Sequence, residues 1–175
     1  EYNVPFYMRD VIPNIYEHWI ARNIIAYMKA AEGDRDRSVI LQIANRPKRY
    51  IGRECLDECT VDFEKVRRYY EDKYWMIKKI DQLESDLAVL RRMDPYTAIN
   101  YIRHGIGYEG YLQEYADYRK IQAEDLLELL DQLQESAKGF KTVQEWFAHI
   151  EEYGKMLKEQ NQKERKADNQ VTFST

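Results

Sequence analysis

Cysteine occurs only 2 times in this sequence of 175 residues, proline 4 times and glycine 7 times. So few cysteines cannot build the dense framework of a small secreted domain. Cys55 and Cys59, four apart on an expected helix, therefore read as free thiols of a reducing, cytoplasmic compartment. The scarcity of glycine and proline leaves too few turns for an all-β chain. The 3 histidines, His18, His104 and His149, are scattered without ligand spacing, so no zinc site is expected. No apolar run approaches the roughly 20 residues of a membrane span, so no membrane partner is expected. The first residues, EYNVPFYM, have neither the basic nor the apolar segment of a signal peptide. They also lack an initiator Met and read as the middle of a longer protein.

Catalytic motifs are missing as well. There is no G-x-x-x-x-G-K-[ST] loop, no G-x-S-x-G and no H-E-x-x-H. The glycines of Gly105-Ile-Gly-Tyr-Glu-Gly110 do not follow a strand and are not spaced G-x-G-x-x-G, so they read as a helix–helix connection. Adjacent acids such as Glu124-Asp125 and Glu151-Glu152 read as solvated faces. No catalytic residue and no metal ligand is assigned.

What is present points to helices. The chain is 44% hydrophobic and 33% charged, the balance of an α-helical globular protein. At this length it buries roughly 70% of its unfolded surface and needs no metal or disulfide to fold. Asn14 suits an N-cap, and Ile20, Ile24, Tyr27, Met28 and Ala31 follow at helical spacing up to Gly33. A long helical region is expected from about Asp62 to Met93, with Met76, Ile80, Leu83, Leu87 and Leu90 on one stripe that Trp75 begins. Asp94-Pro95 starts another helix. A tyrosine-rich helix spans Tyr108 to Tyr118, a leucine-rich run follows, and Thr142 to Glu145 is a capping box. VPFYM and VTFST, at the two ends, are β-prone. The expected organisation is a strand-like piece at 1–8, a helical domain at 9–160, and a polar linker with a terminal strand at 161–175.

One stretch stands out in a chain of formal net charge -4: ANRPKRYIGR, residues 44–53, has four bases and no acid. Arg46, Lys48, Arg49 and Arg53 surround a turn holding Pro47 and Gly52. Gly52 permits a backbone angle or a close approach that a side chain would block. A helix starting after it would offer free N–H groups to an anion such as phosphate. A plain solvated turn fits the spacing too. Further bases (Lys65, Arg67, Arg68, Lys73, Lys78, Lys79) interleave with Tyr69, Tyr70, Tyr74 and Trp75, which suit core packing or base stacking. Glu124 to Glu135 carries five acids and no base, so the chain reads as charge-polarised.

Four stretches in order carry a family resemblance: NVPFYMRDVIPNIYEHWIARNIIAYMKA, ILQIANRPKRYIG, DPYTAINYIRHGIGYEGYLQEYA and NQVTFST. Together they resemble the 2B subdomain, with flanking 2A strands, of UvrD/PcrA/Rep-type superfamily 1 DNA helicases. The second stretch resembles that family's duplex-touching hairpin, although Tyr50 stands where the family often has the first Gly of Gly-Ile-Gly. Asn23 and Cys55 depart from the pattern similarly, and the tyrosine-rich helices look like a particular bacterial subgroup. The resemblance implies a mainly α, multi-helix insertion domain with short β-strand pieces at both termini. It implies that Lys48 and Arg49 neutralise phosphates of double-stranded DNA, that Gly52 admits backbone amides to them, and that Ile51 packs the hairpin; Arg46 and Arg53 add charge. It implies a regulatory role beside RecA-like motor domains of the same parent chain, which would bind ATP and Mg2+ and hydrolyse ATP in DNA unwinding for repair or replication. No cofactor is expected in this stretch itself. The other reading is a free-standing helical protein-interaction module, meeting its partner through Tyr108, Tyr111, Tyr115 or Tyr118.

Overall fold

Apolar residues at helical spacing become buried stripes around a shared core. The computed structural model describes residues 13–173, with side chains to residue 169. Among these the chain is mainly α, with eight α-helices: α1 (Trp19–Ala31), α2 (Arg37–Ile43), α3 (Phe63–Tyr69), α4 (Tyr74–Leu90), α5 (Pro95–Asn100), α6 (Tyr108–Arg119), α7 (Ala123–Ser136) and α8 (Val143–Phe173). The expected strand-like piece at residues 1–8 lies outside the described residues.

Helix α1 is the hub. Its sequence is apolar on more than one face, so it is buried by several neighbours: α2, α4 and α7 all pack on it. Ile20, Ala21, Ile24, Tyr27 and Ala30 have no solvent exposure. The expected stripe of α4, from Met76 to Leu90, faces this core. Trp75 does not begin that stripe. It lies one position before it, about 100° around the helix, and stays 53% exposed.

Most polar groups inside are paired, the buried Trp146 Nε1 being an exception. Asn23 of α1 donates to Gln42 of α2 at 2.7 Å and accepts from the Tyr108 hydroxyl of α6 at 2.7 Å. Burial, more than any other factor, pushes the Tyr108 hydroxyl far above its usual range. Arg103 joins Glu109 at 2.6 Å, Asp131 at 2.8 Å and Gln134 at 2.9 Å, tying a π-helical turn (Tyr101–Ile106) to α6 and α7. Such buried networks stabilise one register because breaking any member strands a polar partner.

Helix ends follow the capping chemistry of the sequence in most places. The Asp94 carboxylate accepts from the Thr97 amide at 2.9 Å, with Pro95 at the first helical position. Thr142 accepts from the Glu145 amide, and Glu145 reaches back to the Lys141 amide, both at 3.1 Å. Asn14, however, caps only a single 3-10 turn, Ile15–Glu17. His18 then caps α1, its Nδ1 accepting from the Ile20 amide at 3.1 Å.

Three expectations change. The long helix expected from Asp62 to Met93 breaks after Tyr69, and its two parts fold against each other so that both bury an apolar face. Cys55 sits in a short 3-10 helix (Arg53–Leu56) and Cys59 in a loop, so the two thiols do not share an α-helix. The stretch expected as a linker from residue 161 continues α8 as helix. Its Gln, Lys, Glu, Arg and Ala residues are good helix formers, and no Gly or Pro interrupts them.

The His18 cap generates a pH prediction. Burial lowers the His18 pKa below its ordinary 6.5, and capping requires an unprotonated Nδ1. The unfolded chain therefore takes up this proton more readily than the folded one. Stability from this group is present above pH 6.5 and is lost as pH falls below it. Urea midpoints should drop from pH 7.5 towards pH 5.5, and His18→Asn, which caps at any pH, should flatten that dependence.

Candidate nucleic-acid interface

The basic turn is organised around a side chain that points inward. Arg49 is buried, 8% exposed, although it belongs to the most basic stretch of the chain. Its guanidinium donates to the carbonyls of Ile43 at 2.7 Å, Ala44 at 3.2 Å and Pro47 at 3.4 Å, and to the Tyr27 hydroxyl at 2.9 Å. Ile43 and Ala44 end α2, where helical carbonyls lack intrahelical partners and carry partial negative charge. Arg49 thus closes α2, while the Tyr27 hydroxyl donates to the Arg46 carbonyl at 2.7 Å and ties the turn to α1. Burial pushes the Tyr27 hydroxyl up, and the Arg49 charge partly offsets this.

Asn45 fixes the rest of the turn. Its carboxamide accepts from the Ile51 amide and donates to the Ile51 carbonyl, both at 2.9 Å. Ile51 is buried, as expected of the residue that packs the hairpin. Between the two anchored residues the chain must reverse tightly, and Tyr50 adopts a left-handed conformation with φ 61. For a bulky residue this costs on the order of 1–2 kcal/mol. The position that needs a left-handed backbone is therefore Tyr50, where the resembling family often has glycine; Gly52 has an ordinary φ of -72, but a Cβ on it would collide with the Glu54 carboxylate.

The expected roles now divide. The Arg49 guanidinium is engaged inside the protein by carbonyls and a hydroxyl. The Gly52 amide donates to the Tyr70 hydroxyl at 2.8 Å and is also engaged. The helix expected after Gly52 is only the 3-10 turn Arg53–Leu56, too short to build an anion site from its amides. Lys48 and Arg53 are exposed, and Arg46 is half-buried, its guanidinium donating to the Gln42 carbonyl at 3.0 Å.

These three outward cations converge. Arg46, Lys48 and Arg53 line one cleft of ≈ 300 Å³ with Asn45, Ile51 and Tyr111. Arg46 and Tyr111 also line a cleft of ≈ 250 Å³ that adds Arg22, Trp19 and Tyr115. Lys48, Tyr111 and Tyr115 line a third, of ≈ 280 Å³, with Glu114 and Tyr118. The clefts share Tyr111, and the grooved surface they make up is lined by four basic residues and one acid. Trp19 and Tyr115 pack at 4.8 Å between ring centres and floor part of it. Sequence spacing did not reveal Arg22, which lies on α1 and reaches the groove only because α1 packs on α2. The acids of α7 (Glu124, Asp125, Glu128, Asp131 and Glu135) are all exposed, on a helix that lines none of these clefts.

The glycines between residues 105 and 110 serve helix joining. Gly107 takes the left-handed φ of 96 between the π-helical turn and α6, and a Cβ on Gly105 would meet the Tyr101 ring at 2.6 Å. They form no phosphate-cradling loop. Among the described residues, no group of three or more His, Cys, Asp or Glu is arranged to hold a metal ion, and no helix is long and apolar enough to cross a membrane.

Comparison with known proteins adds one relative. Over 158 residues the chain is 23% identical to a Bacillus subtilis (strain 168) protein named "Putative ATP-dependent DNA helicase YjcD". The match covers 85% of this chain and 20% of that protein, so the chain spans about a fifth of its relative's length. The chain is distantly similar to a segment of a DNA helicase. No protein-family profile and no solved structure matches it.

Arg49 and Tyr50 give opposite stability predictions. Arg49→Met removes the donors that satisfy the α2 carbonyls and should lower unfolding free energy by about 2–3 kcal/mol. Tyr50→Gly relieves a left-handed residue and should raise it by roughly 0.5–1 kcal/mol, the backbone gain exceeding glycine's added entropy cost. Urea titration of both variants checks the pair. A neutral Arg49→Met would show that the guanidinium does not hold the turn.

Proposed function

We propose that this chain is a duplex-DNA-binding, regulatory 2B-like subdomain of an ATP-dependent DNA helicase. The observation that carries the reading is the groove at Tyr111, where Arg22, Arg46, Lys48 and Arg53 face one acid, Glu114, in a protein of net negative charge. The helicase relative supports the same assignment, since its match runs through the basic turn and most of the helical body. Lys48 and Arg53 neutralise phosphates, and Arg46 and Arg22 extend the contact along the groove. Arg49, Asn45 and Ile51 shape the turn from inside. Contacts of this kind position a backbone and carry no sequence information.

On this reading the ATP and Mg2+ chemistry belongs to RecA-like motor domains of a cytoplasmic parent protein. The helical body shifts relative to that motor and tunes unwinding through its hold on the duplex. A second reading has a specific observation behind it: Tyr118 is 85% exposed at the mouth of the cleft formed with Tyr111 and Tyr115. Exposed tyrosines beside arginines are typical protein contacts, so a helical interaction module remains the competing function.

Anisotropy of a labelled blunt duplex, titrated with the whole chain across a salt series, separates the two. Neutralising about two to four phosphates gives a slope of log K against log salt of roughly -2 to -4. Lys48→Glu/Arg53→Glu should abolish binding without changing the unfolding free energy by more than about 0.5 kcal/mol. Equal binding by that variant, or none by the wild type at low salt, overturns the duplex reading.

A further inference from the structure

A different surface is carried by residues of the turn and α4 that line none of the clefts at Tyr111. Tyr50 is 70% exposed, Tyr74 67% and Trp75 53%. Rings of this size usually bury most of their area, so three left in water together forfeit a large hydrophobic gain. They are linked by cations. The Lys79 ammonium lies 4.9 Å from the Tyr50 ring centre and the Lys78 ammonium 5.4 Å from that of Tyr74. Tyr74 and Trp75 meet edge-on at 6.2 Å, and Trp75 and Lys79 are one turn apart on α4. Turn and helix thus present one aromatic and basic face.

The charges on this face lack carboxylate partners. Arg67 binds Glu64, Asp81 and Glu84, the acids that would otherwise neutralise the neighbouring lysines. Among the described residues Lys78 and Lys79 make no ion pair, and neither do Glu71 and Asp72 on the loop before α4. Tyr50 adds a second argument. It accepts a left-handed backbone where glycine would be unstrained, yet among the described residues Lys79 is the one ring contact it gains. A strained position that packing does not repay points to a role outside the fold.

We propose that Tyr50, Trp75 and Tyr74, with Lys78 and Lys79, form a stacking platform for an unpaired DNA strand. Open ring faces accept nucleobases and the lysines accept the phosphates between them, a combination that tolerates any sequence. A duplex has its bases already stacked, so an unpaired strand is the form of nucleic acid that can use the rings. Tyr50 lies between Lys48 and Arg53 in the chain, so the platform borders the duplex groove and the turn would sit at a single-strand/double-strand junction. Only this junction placement rests on the duplex-binding reading; the platform itself does not.

The test uses the whole chain and oligothymidine of about 20 nucleotides, which cannot self-pair. Oligothymidine should bind and quench tryptophan fluorescence. Tyr50→Ala/Trp75→Ala should weaken binding at least about tenfold with the urea midpoint retained, and Tyr50→Phe/Trp75→Phe should restore affinity without the quenching. No binding to oligothymidine, or equal binding by the alanine variant, overturns the proposal. Concentration-dependent self-association that Trp75→Ala abolishes would assign the face to a second copy of the chain and also overturns it. The blunt duplex, run in parallel with Lys48→Glu/Arg53→Glu, keeps the readings apart. Oligothymidine binding through Trp75 without duplex binding upholds the platform and removes the groove. Duplex binding without oligothymidine binding removes the platform and upholds the groove.

Discussion

A buried guanidinium without a carboxylate organises this protein's surface. Arg49 spreads its charge over three carbonyls and the Tyr27 hydroxyl, and two of those carbonyls lie at the end of α2. Isolated buried charge is costly, but a planar group with five donors can satisfy it with dipoles aimed at fixed directions. The turn's shape follows. With Arg49 drawn in, and Ile51 clamped by Asn45, Lys48 and Tyr50 on either side must face out. One inward base makes the outward ones available on a rigid support.

A similar division operates on α3 and α4. Arg67 gathers three acids, which leaves nearby Lys78 and Lys79 over tyrosine rings instead of carboxylates. Acids collect on α7, where Asp131 is drawn to Arg103 and Glu135 to Lys138. Net charge therefore describes this molecule poorly. The field that a polyanion meets depends on which charges the fold has already paired, and the turn and the exposed face of α4 are two places where, among the described residues, cations have no carboxylate partner.

The helices were legible because their signals are local. Stripes at 3.6-residue spacing, Asp94-Pro95 and the Thr142 box are chemistry within one turn of chain, and each appears where the sequence places it. The break after Tyr69 was not legible, since it depends on α3 and α4 finding a common core rather than on a glycine or proline. The basic turn was legible as a place and not as a set of roles. Nothing in ANRPKRYIGR shows that Arg49 turns inward while Lys48 and Arg53 do not; that depends on the α2 carbonyls and on Tyr27, 22 residues away. Arg22 was invisible for the same reason. Trp75 was read as core from its neighbours, whereas a shift of one position on α4 puts it in solvent.

The most direct check follows the arginine side chains by NMR while a short blunt duplex is added to the labelled protein. The Arg49 guanidinium signals should be slow to exchange with water and should stay in place, while those of Arg46 and Arg53, and the Lys48 amide, move with saturation. Arg49 signals that exchange rapidly, or that shift with the outward residues, would contradict an internal anchor and return Arg49 to the phosphate contact.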